Sequence, residues 1–123
     1  MHTFPSVTIK TKNYTHNDAI EEVLAKRLKT LEKFLPDDET MLVCAVELEK
    51  MAGQQTGSIF RVEINLQVGG TLLRAEATRE KMEDAIEQTK NELKTELVRT
   101  SGKRQSLLRR GAKRIKDMLR FGQ

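Results

Sequence analysis

Apolar and polar residues alternate without a break from Phe60 to Val68. Phe60, Val62, Ile64, Leu66 and Val68 fall on one side, and Arg61, Glu63, Asn65 and Gln67 on the other. A period of two is the signature of a strand with one buried face. Gly69-Gly70 follows, a dipeptide able to take the positive φ angles of a two-residue hairpin turn. With those glycines as the loop, Val68 faces Thr71, Leu66 faces Leu73, Ile64 faces Ala75 and Val62 faces Ala77. Turn and pattern then specify one register independently, because a slip of one residue would set Ile64 against a polar neighbour. On the outer side Glu63 falls opposite Glu76, with Arg61 and Arg74 diagonally placed to relieve the repulsion. Ala75 and Ala77 are small, which predicts a helix packed closely over them.

The remaining pattern supplies the other elements. Val7 to Lys12 reads as a short strand with Val7 and Ile9 inward. Thr15 or Asn17 is the expected N-cap of a first helix, whose stripe is Ile20, Val23, Leu24, Leu28, Leu31 and Phe34. Pro36 predicts its end at about Leu35. Met41 to Lys50 is a second strand with Leu42, Cys44, Val46 and Leu48 inward. Met41, Val43 and Ala45 are also apolar, so this strand is expected to be central or partly covered on its outer side. Residues 51–57 form a longer loop. A second helix is predicted from about Glu80 to Thr100, with Met82, Ala85, Ile86, Thr89, Leu93 and Leu97 as its stripe. Ser101-Gly102 breaks it. Lys103 to Arg120 then reads as a basic helix with Leu108, Ala112, Ile115 and Leu119 along one side, weakened by Gly111. The fold class is therefore α+β, in the order β-α-β-β-β-α: a four-stranded mixed sheet with two helices packed on one face, plus a basic C-terminal helical tail. Residues 1–102 form the domain and 103–123 the tail. The first βαβ crossover should make strands one and two parallel.

Composition narrows the function. Aromatics are 4% with no Trp, so the core is aliphatic. No apolar run approaches the roughly 20 residues of a membrane span, and the N-terminus lacks a signal-peptide pattern. Cys44 is the single cysteine. These point to a cytoplasmic protein, expected to be a monomer, without a membrane partner. Charge is segregated. Residues 99–123 hold nine Lys/Arg against one acid, Asp117, whereas residues 1–98 hold 13 Lys/Arg and 17 Asp/Glu. A tail so basic favours a polyanionic partner.

Catalytic chemistry has little to work with. His2 is terminal, His16 sits at a cap, and neither forms a metal or base constellation with Cys44. Ser101 and Ser106 have no His nearby in sequence, and Glu47 and Glu49 alternate on an exposed face. The expectation is a protein that is not an enzyme, with no cofactor, metal or small-molecule substrate. Basic positions remain. Lys26, Arg27, Lys29 and Lys33 lie along the first helix, and Lys90, Lys94 and Arg99 along the second. Each set alone would pass for a solvated face, and Glu87 stands within ion-pair reach of Lys90. The tail residues Lys103, Arg104, Arg109, Arg110, Lys113, Arg114 and Lys116 have no comparable internal partner, which favours phosphate binding with counterion release. With Tyr14 and four Phe as the only aromatics, single-strand stacking is disfavoured, and recognition of folded RNA by backbone and shape fits better.

The run Ala19-Ile20 through Lys26-Arg27-Leu28-Lys29-Thr30-Leu31-Glu32-Lys33-Phe34 is similar to the first helix of the ribosome hibernation-promoting factor family, which ends in Lys-Leu-Glu-Lys-aromatic. Ala75-Glu76-Ala77 leading into Met82 and Ala85-Ile86 resembles that family's fourth strand and second helix. The resemblance covers about residues 5–103 and is to the short form, without the dimerising C-terminal domain of long members. It implies a ribosome-associated translation inhibitor that binds small-subunit rRNA at the mRNA–tRNA channel and keeps idle ribosomes inactive under stress. The chain departs at Lys81-Met82-Glu83, where the family has Asp-Met-Tyr. It departs again at Glu92-Leu93-Lys94-Thr95-Glu96-Leu97, where two basic residues of Lys-Leu-x-Arg-Gln-Leu are replaced, and at Thr30. Arg27 and Lys33 match basic family positions. The tail is expected to supply phosphate contacts that the helices have given up. Two readings compete: a generic structured-RNA-binding domain, and a protein-interaction module that modulates transcription machinery through Met41, Val43 and Ala45.

Overall fold

The computed structural model describes residues 4–15, 17–36, 41–53 and 59–100. Strand β1 (Val7–Lys12) leads into helix α1 (Asp18–Lys29), followed by β2 (Leu42–Lys50), β3 (Phe60–Val68) and β4 (Thr71–Arg79). Residues 82–100 are helical and form α2. The four strands make one sheet in the order β1-β2-β3-β4. As the crossover requires, β1 and β2 are parallel, with Val7 beside Cys44, and the other pairs are antiparallel. The hairpin register is the one read from the alternation: Val68 with Thr71, Leu66 with Leu73, Ile64 with Ala75 and Val62 with Ala77.

One sheet face is buried. Cys44, Val46 and Leu48 of β2, Val62, Ile64, Leu66 and Val68 of β3, and Leu73, Ala75 and Ala77 of β4 face the core. They meet Ile20, Leu24 and Leu28 of α1 and Met82, Ala85, Ile86, Leu93 and Leu97 of α2. Thr89 is the one buried polar residue described. Its hydroxyl lies 2.7 Å from the Ala85 carbonyl and 3.3 Å from that of Val62, so α2 packs on β3 at Val62 without a stranded hydrogen bond. Asn17 is the N-cap, its Oδ1 accepting from Ile20 N at 2.9 Å.

One local expectation is corrected, and two others are made definite. Helix α1 ends at Lys29 rather than near Leu35. The Thr30 hydroxyl donates to the Arg27 carbonyl at 2.6 Å, and the Thr30 N–H also turns back onto Arg27 and Leu28. A short 3₁₀ turn (Glu32–Phe34) continues the chain, with Leu31 and Leu35 buried. The tightened turn closes the helix before Pro36 is reached. Strand β2 is central, the first of the two alternatives, and its outer side is open: Met41 is 61% and Val43 50% exposed. Of the two turn glycines only Gly69 has a positive φ, 60°, the pattern of a type II′ rather than a type I′ turn. The tail helix and most of the loop at 51–57 lie outside the described residues; Met51 N donates to Ile59 O at 2.8 Å, closing that loop.

The two turn positions therefore differ in what they tolerate. A Cβ at Gly70 meets nothing within 4 Å, so Gly70→Ala should be neutral or gain about 0.4–1 kcal/mol through the unfolded chain. Gly69→Val places a β-branched residue in the left-handed region and should cost roughly 1–3 kcal/mol. Thermal melts of the two variants check this, and equal melting temperatures would contradict the turn assignment.

Candidate nucleic-acid interface

Because both helices cover the same sheet face, their outward sides form one surface, on which Lys26, Arg27, Lys29, Lys33, Lys94 and Arg99 are exposed, while Lys90 is largely covered. Their environments differ. Lys26 pairs with Glu22 one turn back at 3.2 Å, and Arg99 with Glu96 at 3.1 Å. Such exposed pairs contribute little, about 0.2–1 kcal/mol. Lys29 is exposed and makes no ion pair among the described residues.

Arg27 and Lys90 are brought together, but around a carboxylate. Glu87 Oε2 lies 2.8 Å from Arg27 Nε, and Oε1 lies 3.0 Å from Lys90 Nζ. Oε2 is buried and receives no hydrogen bond of good geometry, so the Arg27 contact is mainly electrostatic. Hydrogen bonding from Lys90, helped by the Arg27 charge and opposed by burial, holds the Glu87 carboxyl below its ordinary pKa. The Lys90 side chain is only 13% exposed. It belongs to the seam between α1 and α2 more than to the surface.

Two turns further along the same seam, Lys33 and Lys94 converge on one ring. The Lys33 Nζ stands 5.2 Å and the Lys94 Nζ 5.3 Å from the centroid of half-buried Phe34. Both distances suit cation–π attraction. A shallow depression of about 410 Å³, lined by Asn91, Lys94, Thr95 and Val98, opens beside Lys94. Lys103, Arg104, Arg109, Arg110, Lys113, Arg114 and Lys116 lie outside the described residues.

The opposite sheet face is built differently. Glu47, Glu63 and Glu76 stand in one row across β2, β3 and β4. Arg61 reaches from the next row to bond Glu47, Glu49, Glu63 and Glu76, while Arg74 bonds Glu63 at 2.9 Å and Lys12 lies 3.7 Å from Glu49. Burial pulls the Arg61 pKa down, but its bonds to Glu76 and Glu63 outweigh this and leave it raised. Glu63 is held below its ordinary value, first by the Asn65 amide and then by Arg74 and Arg61, against the effect of burial. Charge on this face is consumed internally, and Arg61 and Arg74 do relieve the Glu63–Glu76 juxtaposition. Beyond the lattice lies an apolar end formed by Met41, Val43 and Leu72, the last 59% exposed.

Burial raises the Cys44 thiol to about 12, so it stays protonated and unreactive. Among the described residues no cluster of His, Cys, Asp and Glu is arranged to hold a metal, and no helix is long and apolar enough to cross a membrane. Sequence reasoning missed two members of the helical surface. Phe34 reads as part of the apolar stripe, and nothing local shows that Lys94 will reach it. Glu87 is legible as an i,i+3 partner of Lys90, but its contact with Arg27 spans distant parts of the chain.

Sheet, helices and charge thus define an α+β domain whose outer sheet face ties its carboxylates into an ion-pair lattice and whose helical side carries both signs of charge, with Lys29, Lys33 and Lys94 outside any ion pair among the described residues. A family profile described as Sigma 54 modulation protein / S30EA ribosomal protein matches residues 7–105, and the chain belongs to that family. The crystal structure of the Thermus thermophilus Protein Y N-terminal domain is similar at 25% identity and a TM-score of 0.62, covering 80% of this chain and 99% of that one. A ribosomal subunit interface protein from Coxiella burnetii shares the fold at 16% identity and a TM-score of 0.62, covering 78% of this chain and 97% of that one. No match was found among curated proteins.

The Arg61 lattice carries a pH-dependent prediction. The depressed Glu63 pKa contributes stability that is complete above the unfolded value near 4.5 and is lost as pH falls through the folded value. Arg61→Met should therefore cost about 1–3 kcal/mol at neutral pH, with the gap to wild type narrowing below pH ~4.5 as the carboxylates protonate. Denaturant melts across pH test this. A gap that stays constant down to pH ~2, where carboxylates are protonated in both states, would contradict it.

Proposed function

We propose that this protein is a ribosome-associated translation inhibitor that binds small-subunit rRNA at the mRNA–tRNA channel and keeps idle ribosomes inactive. Family membership over residues 7–105 supports the ribosomal assignment, as does the likeness of the fold to Protein Y and to a ribosomal subunit interface protein. The observation that carries the reading is the difference in ion pairing between the two faces. On the sheet side Glu47, Glu49, Glu63 and Glu76 are bonded by Arg61, Arg74 and Lys12, whereas Lys29, Lys33 and Lys94 on the helical side have no carboxylate partner among the described residues. A folded RNA presents phosphates over a broad surface, which suits helices laid side by side.

The tail extends the same chemistry. Lys103, Arg104, Arg109, Arg110, Lys113, Arg114, Lys116 and Arg120 add cations beyond α2, and in this reading they bind phosphate in place of the family's basic residues replaced here by Glu92 and Thr95. On this view binding requires neither cofactor nor catalysis. A protein-interaction module is the second reading, favoured by exposed Met41, Val43 and Leu72, and a generic structured-RNA binder is the third. Sucrose-gradient sedimentation separates them. Co-migration with small subunits or whole ribosomes supports the proposal, binding to any RNA duplex supports the generic reading, and migration with neither supports the protein module.

Truncation after Gly102 tests the tail. The described core lies entirely within residues 4–100, so the shortened chain should melt cooperatively near the wild-type temperature. Binding to small subunits should weaken, and the slope of log K against log salt should become shallower by roughly 0.7–0.9 for each phosphate no longer neutralised. A lower melting temperature with an unchanged slope would mean that the tail docks on the domain instead.

A further inference from the structure

The two edges of the sheet, β1 and β4, are built differently. β1 follows Pro5 and carries Lys10 and Lys12, and prolines and lysines guard an edge against pairing with another chain. β4 has neither. It runs for nine residues in unbroken register with β3, so no bulge twists its rim away. Gly69 N donates to Met41 O and Met51 N to Ile59 O, each at 2.8 Å. The odd-numbered residues of β3 therefore bond β2, and the even-numbered ones bond β4. On β4 this turns the peptide groups of Leu72, Arg74, Glu76 and Thr78 outward. Among the described residues only the Thr78 carbonyl finds a partner there, the Arg79 guanidinium at 2.6 Å.

This edge is complementary to itself. Two antiparallel copies keep buried side chains opposite buried ones only when the two-fold axis passes through a residue rather than between two. An axis at Arg74 sets that arginine against its own copy, and an axis at Glu76 does the same to the carboxylate. Like charges directly opposite are destabilising. An axis at Ala75 instead sets Arg74 opposite Glu76, and does so twice. In that register Leu73 faces Ala77 on the core side, and Leu72, 59% exposed in the single chain, faces Thr78. The Arg74 and Glu76 side chains are 60% and 47% exposed. Each already belongs to the Arg61 lattice, but five guanidinium donors and two carboxylate oxygens leave capacity for a further partner.

From this geometry we propose that a second copy of the chain pairs along β4, antiparallel and two-fold symmetric about Ala75, joining the two sheets into one. The edge thus replaces the monomer expected from the sequence with a homodimer. Leu72 exchanges hydrogen bonds with Thr78 of the other copy, and Arg74 with Glu76, once the Arg79 side chain releases the Thr78 carbonyl. The outward donors and acceptors of β4 are then all used. The assembly closes on itself, because both β4 edges are consumed and only the guarded β1 edges remain at its ends. The seam where Arg27 meets Glu87 lies on the α1 side of α2, away from this edge. The dimer is therefore independent of the RNA-binding reading.

Sedimentation velocity of the full chain over a concentration series, with disulfide trapping of the register, tests it. Wild type should pass from monomer to dimer as concentration rises. At the axis the two Ala75 residues form a pair without mutual hydrogen bonds, with Cα atoms about 4.5 Å apart, inside disulfide reach. Ala75→Cys, oxidised with glutathione disulfide, should give a covalent dimer. Ala77→Cys faces Leu73, stands outside the roughly 7 Å limit from its own copy, and should not. Cys44 is buried and stays out of the reaction. Glu76→Arg sets like charges opposite at two symmetry-related places and should weaken association roughly tenfold or more. Exchanging the pair, Arg74→Glu with Glu76→Arg, should restore it, and Lys10→Glu on β1 should change nothing. Thermal melts confirm that each variant folds. If Ala75→Cys does not fold, the charge exchange decides alone: rescue sustains the pairing and failure to rescue rejects it. A wild type that stays monomeric at millimolar concentration would overturn the proposal. So would equal trapping at Ala75→Cys and Ala77→Cys, or a Lys10→Glu effect as large as that of Glu76→Arg.

Discussion

Burial of Val62, Ile64 and Leu66 beneath two helices is the interaction on which the rest of this structure depends. All three are fully buried on the central strand β3, and each such side chain contributes on the order of 1.5–3 kcal/mol. With few aromatics, aliphatic burial of this kind, shared with Leu31, Leu48, Ile86 and Leu93, is the main source of stability. Covering β3 and its neighbours takes both helices, since neither stripe alone is wide enough for four strands. They must therefore lie side by side on one face. That packing brings α1 and the 3₁₀ turn against α2, placing Arg27 by Glu87 and Phe34 by Lys94. The placement of these charged side chains is a consequence of the core.

The two faces then diverge in their electrostatics. On the sheet side each strand sets charges at a spacing fixed by the pleat, and the Glu47–Glu63–Glu76 row would repel itself without Arg61. That lattice stabilises the sheet and leaves little net field for a partner. On the helical side the seam holds one carboxylate, Glu87, already shared between two cations. Charge outside the seam is left to solvent or to a polyanion. The two faces therefore differ in how their charges are paired, with the sheet side cross-linked and several lysines of the helical side outside any ion pair among the described residues.

Most of the fold was legible because it is written in short-range patterns. Alternation through Phe60–Val68 and the glycine turn place β3 and β4 in register, and the apolar stripes predict both helices with their buried residues. The discrepancies have local or long-range causes. Thr30 ends α1 early through its own hydroxyl, a side-chain choice that a stripe of apolar residues does not reveal. Val43 and Ala45 are apolar yet exposed, so of the two alternatives read for β2 it is the central position, not a covered outer side, that holds. Gly70 needs no positive φ, which the dipeptide cannot disclose. The candidate site was legible in kind but not in detail. Lys33 and Lys94 stand out as basic positions, but their meeting on Phe34 depends on how α2 crosses the sheet, and the capture of Arg27 by Glu87 depends on the same crossing.

The central claim is that the helical side, not the sheet side, faces RNA. Lysine acylation read by mass spectrometry, with and without bound small ribosomal subunits, addresses it directly. The account predicts that Lys29, Lys33 and Lys94 lose reactivity on binding while Lys10 and Lys12 keep theirs. Protection of Lys10 and Lys12, with Lys33 and Lys94 still reactive, would contradict it.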